Sequence, residues 1–88
     1  MDISIIPIAE RIARVLTAQR ISANAAGDEE SAAATIDANW QDHLPDALAV
    51  LRTLREPDEA MAAAGDVAIW ERMVLTAIDH ATTPRVVL

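Results

Sequence analysis

The larger apolar residues of this 88-residue chain recur at helical spacing along most of its length. Ile5, Ile8, Ile12, Val15 and Leu16 fall three and four apart, which places them on one stripe and predicts an amphipathic helix from Ser4 to about Ile21. Ser4 suits the N-cap, and Pro7 then lies in the first turn, where its missing N–H costs no helical bond. Glu10 and Arg14 sit four apart in the favourable order, as a solvated pair on the outer face.

Residues 22 to 35 are biased toward small and acidic side chains and predict a loop. Gly27 is suited to ending the first helix and Asp28 to capping a second, which begins as early as Glu29 or as late as Ile36 with Thr35 as its cap. From there Ile36, Trp40, Leu44, Ala47, Leu48, Leu51 and Leu54 hold a single stripe. Pro45 interrupts it. Because the stripe keeps phase across the proline, one kinked helix is expected, with the orphaned carbonyl facing water; the rival is a fresh start with Asp42 as N-cap and Pro45 in the first turn.

Between residues 54 and 73, LREPDEAMAAAGDVAIWERM, Pro57 ends one helix and Asp58 and Glu59 open another. Gly65 and Asp66 supply a stop and a cap. A short helix over about 58–64 and a long one from Val67 to about Asp79 follow. The long one carries Val67, Ile69, Trp70, Met73, Val74, Ala77 and Ile78 over nearly half its circumference. So wide an arc exceeds what one neighbouring helix covers, which makes this either the central helix or the face of a homodimer. Ile69, Trp70, Met73, Val74 and Ile78 are therefore the candidate interface residues. The expected fold is all-α: a compact small bundle of three longer helices plus one short helix, with one domain over residues 1–81 and a frayed tail over 82–88, unless Val86, Val87 and Leu88 dock on an apolar groove.

Composition tempers the picture of a large core. Hydrophobic residues make up 52% of the chain, but 19 residues are alanine and there is no Phe or Tyr, so Trp40 and Trp70 alone can fill a large volume. With no cysteine there is neither a disulfide framework nor a thiolate metal site. The opening residues lack a basic leader and a spanning apolar run, so a cytoplasmic protein is expected. All seven bases are arginine against fourteen acids, a formal net charge of −7 that disfavours phosphate backbones and anionic lipid. Partners are then expected to be proteins, first of all a second copy, with no nucleic acid, membrane or small-molecule ligand.

Candidate chemistry is sparse. Asp42, His43 and Asp46 share one helix but need a ligand from elsewhere to hold a metal, and a boundary histidine explains His43 better. His80 lies at a helix end. The three serines, Ser4, Ser22 and Ser31, fall at ends or in a loop, and there is no lysine or cysteine nucleophile. Two glycines are too few for a phosphate loop. No enzyme activity, cofactor or metal is expected. The segment EAMAAAGDVAIWERMV imitates a helix–turn–helix, yet Glu71 occupies a position that should pack between the helices, and the second helix offers only Arg72 to a base edge. Arg11, Arg14, Arg52 and Arg55 pair up on outer faces and read as solvated pairs.

Leu54, Arg55, Glu56, Pro57 and Met61, followed by Trp70 and Met73, form an LREPxxAM…WxxM segment over roughly the last third of the chain. In these positions the sequence resembles small uncharacterised helical proteins of alphaproteobacteria and bacteriophages. The resemblance implies no activity and no functional residue; it implies a bacterial or prophage accessory role. Two function classes result: an accessory protein acting through helix-face protein contacts, or an acidic inhibitor that mimics nucleic acid on a DNA-handling or defence protein. Asp28, Glu29 and Glu30 are expected to cluster in a loop while the other acids are spread over all helices, which favours the first.

Overall fold

The computed structural model describes residues 2–24 and 29–82, and among them every regular element is helical. The elements are α1 (Ile8–Asn24), α2 (Glu29–Asn39), a 3-10 turn (Trp40–His43), α3 (Leu44–Leu54), α4 (Glu59–Ala64) and α5 (Val67–Thr82). The all-α class expected from the periodicity holds. Contacts cluster into two compact units, Met1–Ala47 and Leu48–Leu88, and the division falls within α3. The expected caps Gly27 and Asp28, and the tail from residue 83, lie outside the described residues.

In the first unit, α1 starts later than the sequence suggested. The Ser4 hydroxyl accepts from the Ile6 N–H at 3.1 Å in a local turn instead of capping the helix. The first helical bond runs from Arg11 N–H to the Pro7 carbonyl, so Pro7 takes the cap position. The buried face of α1 also differs from the expected stripe. Ala9, Ala13 and Thr17, four apart, are 2%, 0% and 2% exposed, while Val15 is 58% and Ile5 98% exposed. With 100° per residue, the buried face is turned by roughly a quarter of a revolution from the line of large side chains, and Ile12 and Leu16 lie half-buried between the two. Small side chains let the backbone of α1 approach its neighbours, and that closeness is what the large residues cannot match. The buried Thr17 hydroxyl is satisfied by donating to the Ala13 carbonyl at 2.8 Å.

Pro45 decides the middle of the chain. In a continuous α-helix the Gln41 carbonyl would accept from residue 45, which has no N–H to give and whose ring would collide with it. That carbonyl instead accepts from the Leu44 N–H, three residues on, in a 3-10 turn. Asn39, with φ −124° and ψ −3°, has already left helical geometry. Thus α2 and α3 are separate helices rather than a single kinked one: α3 restarts at Leu44 with Pro45 in its first turn, as the rival reading had it, but it follows directly on the 3-10 turn instead of a cap at Asp42, and the expected water-facing carbonyl is taken up internally. The earlier of the two expected starts, Glu29, is the observed one. The stripe survives the break: Ile36, Trp40, Leu44 and Leu48 are half-buried, and Ala47 and Leu51 buried.

In the second unit Asp66 caps α5 as expected, while Asp58, expected in the first turn of α4, is its N-cap. Asp58 Oδ1 accepts from the Met61 N–H at 2.9 Å, and Asp66 Oδ1 from the Ile69 N–H at 3.1 Å. Gly65 links the two helices in a fully extended conformation, φ −162° and ψ −166°. A side chain fits there, since a Cβ on Gly65 would meet nothing within 4 Å.

Enlarging the small face of α1 should therefore hurt more than trimming the large one. Ala13→Leu is expected to destabilise by about 1–3 kcal/mol through overpacking. Val15→Ala should stay within about 0.5 kcal/mol of the parent, as exposed positions do. Paired chemical denaturation curves with unchanged m-values check both.

Candidate interaction site

Two concavities merit comparison, one in each unit. The first lies among α1, α2 and the 3-10 turn and is walled by Thr17, Arg20, Ile21, Asn39, Asp42 and His43, with a volume near 390 Å³. Its polar groups are largely committed. Thr17 donates within α1 and the Asn39 amide donates to the Thr35 carbonyl at 2.9 Å. Arg20 and Asp42 are exposed and oppositely charged. His43 is half-buried, with Nδ1 3.6 Å from Asp46 Oδ2, a contact too long for a hydrogen bond. Among the described residues no group of three or more His, Cys, Asp or Glu side chains could hold a metal, so Asp42, His43 and Asp46 do not converge.

Beside this cleft, Arg14 carries more than the solvated pair expected of it. Its guanidinium donates to Asp37 Oδ1 at 2.6 Å and to Glu10 Oε2 at 2.9 Å, and it sits 5.4 Å from the centroid of the Trp40 ring. One side chain on α1 thereby reaches α2 and the 3-10 turn. Hydrogen bonds to Asp37 and then to Glu10 raise its pKa above an already high ordinary value, so it stays charged at any working pH. Every charge in this cluster is occupied, which makes it a structural clasp. Among the other outer arginines, Arg55 lies 3.9 Å from Glu56.

The second concavity has a different character. It is a groove of about 320 Å³ formed by α4 and the first half of α5, with walls from Pro57, Met61, Val67, Ile69, Trp70 and Met73 and the Gly65–Asp66 link at one side. The lining is almost wholly apolar. Its floor is fixed, because the half-buried Trp70 donates from Nε1 to the Leu54 carbonyl at 2.6 Å, satisfying the indole N–H and orienting the ring. Its walls are accessible: Met61 is 39%, Val67 43%, Ile69 47% and Met73 63% exposed. Both methionines are unbranched and repack readily against different shapes.

No family model matches this chain, and no curated protein or solved structure matches it. The geometry of the site must carry the functional argument by itself.

Of the five expected interface residues, Ile69, Trp70 and Met73 are brought together on the groove. Val74 is only 6% exposed and Ile78 is half-buried, so these two face the interior side of α5. The apolar arc is thus shared between an inner half and an outer half. Met61 and Pro57 were missed as partners of the site, although both lie in the segment expected to punctuate the helices. The signal was available, since a methionine six residues before the Trp70 helix has little reason to sit on a short exposed helix. Glu71 is exposed, and no described helix is long and apolar enough to cross a membrane.

Trp70→Phe keeps an aromatic ring but deletes the N–H donor and part of the indole's packing area. The expected cost is at least about 0.5–1.5 kcal/mol, the usual net worth of one hydrogen bond, with lost area adding to it. Asp58→Ala should cost about 0.5–2 kcal/mol and Asp58→Asn much less, because asparagine also caps. Thermal melts of the three variants separate the two effects.

Proposed function

We propose that this chain is a small accessory protein that works by protein–protein contact through helix faces, with the α4/α5 groove as its contact surface. The observation that carries the reading is the exposure of Ile69 and Met73, 47% and 63%, around an indole whose polar end is already bonded. Apolar patches of this kind, rimmed by polar residues, are where soluble proteins meet partners. Grooves with aromatic and methionine walls are a recurrent mode for seating an amphipathic helix from a second copy or another protein.

The resemblance of the LREPxxAM…WxxM segment to small helical proteins of alphaproteobacteria and bacteriophages points to a bacterial or prophage setting, in the cytoplasm. The same residues that carry the resemblance, Pro57, Met61, Trp70 and Met73, line the groove. An acidic mimic of nucleic acid draws less support. Glu10 and Asp37 are bonded to Arg14, and Asp58 and Asp66 cap helices, so these carboxylates have local employment.

The test compares two faces of α5. Ile69→Ser with Met73→Ser should abolish concentration-dependent self-association, or retention of a partner from host lysate, with an unchanged helical circular dichroism spectrum. Leu75→Ser, 40% exposed and outside the groove walls, should leave either intact. Equal loss in both variants, or a parent chain that stays monomeric and retains nothing, overturns the proposal.

A further inference from the structure

We infer that the cleft among α1, α2 and the 3-10 turn is a binding site for a small zwitterion of the α-amino-acid type with an aliphatic side chain. The inference is independent of the α4/α5 groove and lies wholly within the first unit.

The cleft follows from local structure. Thr17, Arg20 and Ile21, three and four apart, share one face of α1, and the 3-10 turn imposed by Pro45 packs on α1 and brings Asp42 and His43 to the same space. Its volume near 390 Å³ is of the size that small-molecule sites have. The neutral polar groups of the walls already bond within the fold, Thr17 to the Ala13 carbonyl and Asn39 to the Thr35 carbonyl. The charged and titratable ones do not. Among the described residues the Arg20 and Asp42 side chains take part in no ion pair, so they are not joined to each other across the cleft.

His43 adds a second observation. Its side chain is only 18% exposed and makes no hydrogen bond, the 3.6 Å approach of Nδ1 to Asp46 Oδ2 being too long. No buried side-chain nitrogen or oxygen among the described residues lacks a partner, so the imidazole nitrogens open to solvent. A largely covered polar ring without a partner gains from a ligand that bonds it.

The walls select the chemistry of that ligand. A guanidinium receives a carboxylate through parallel N–H donors, and a carboxylate receives an ammonium. Arg20 on α1 and Asp42 on the 3-10 turn offer these opposite charges in one cleft. A ligand that carries both is matched at both ends and is net neutral, so it escapes the repulsion that a formal net charge of −7 exerts on phosphates and other anions. A plain cation meets Arg20 as a like charge, and a plain anion meets Asp42. Half-buried Ile21 supplies apolar wall for an aliphatic side chain. The frame is preset, because Arg14 bonds Glu10 on α1 and Asp37 on α2 and so holds two of the walls together before a ligand arrives.

The probe is L-leucine, titrated into the full chain and followed by the backbone amide NMR signals. N-acetyl-L-leucine, which lacks the ammonium, and L-leucinamide, which lacks the carboxylate, are titrated in parallel. Leucine should saturate the cleft signals by about 10 mM and bind at least about tenfold more tightly than either blocked form. Arg20→Gln should weaken leucine several-fold and leave leucinamide unchanged. Asp42→Asn should weaken leucine several-fold and leave N-acetyl-leucine no weaker. Both positions are exposed, and an unchanged circular dichroism spectrum confirms the fold of each variant.

No shift at Arg20, Ile21, Asp42 or His43 with about 10 mM leucine overturns the inference. N-acetyl-leucine binding as tightly as leucine also overturns it, in favour of a simple anion site, and leucinamide doing so overturns it in favour of cations drawn to an acidic surface. Leucine affinity that survives both substitutions places the contact outside the cleft. None of these results touches the groove reading, which the α5 variants test separately.

Discussion

The side chains that lose nearly all contact with water are small. Among the described residues Ala13 and Ala47 are 0% exposed and Ala9 2%, and Thr17, Leu51 and Val74 are the larger buried groups. Alanine allows helices to approach closely, but each buried methyl contributes only about 0.8 kcal/mol, against about 1.5–3 kcal/mol for a buried leucine or isoleucine. Packing of this kind constrains everything else. Backbones drawn together by alanines leave no room between them for the longer side chains, which are displaced to the flanks and the surface. In the first unit the exposed Ile5 and Val15 are the counterpart of that alanine-lined face; in the second, where Leu51 and Val74 are buried, several exposed apolar residues meet in the groove of α4 and α5.

Close approach must be held in register, and the polar groups supply that. In the first unit Arg14 binds a carboxylate on its own helix, one on α2 and the face of Trp40. The planar guanidinium can meet all three at once, which an ammonium could not. In the second unit the Trp70 N–H on the Leu54 carbonyl plays the corresponding part, tying α5 to the end of α3. Each unit thus has one aromatic ring, and each ring is oriented by a single polar contact.

Helix positions were legible because period and punctuation are local properties. Pro57, Asp58, Gly65 and Asp66 announced α4 and α5 almost to the residue. What periodicity could not show was which side of a helix goes inside when alanines lie beside the large residues. On α1 the stripe through Ile5, Ile8 and Val15 looked like the core face, yet Ala9, Ala13 and Thr17 hold it. Hydrophobicity ranks side chains by area, whereas this interior selects for fit. Pro45 was ambiguous for a related reason: a kink and a 3-10 turn keep the same stripe in phase, and only the fate of the Gln41 carbonyl separates them. At the site, the Ile69, Trp70 and Met73 cluster was visible as excess apolar surface on α5. The α4 wall was not, since Met61 and Pro57 act through the turn that folds them against it.

That turn also accounts for the aspartates at the starts of the two helices that form the groove. A helix as short as α4, followed at once by another, needs two N-caps within a few residues, and aspartate serves because its carboxylate satisfies an orphan N–H and favours the positive end of the helix dipole. Serine or threonine could have capped without adding charge. With aspartate at both positions, a carboxylate stands at the start of each of the two helices. Shape and charge then cannot drift apart: any change that loosens the caps alters the walls built on Met61 and Ile69, the two residues whose N–H groups the caps hold.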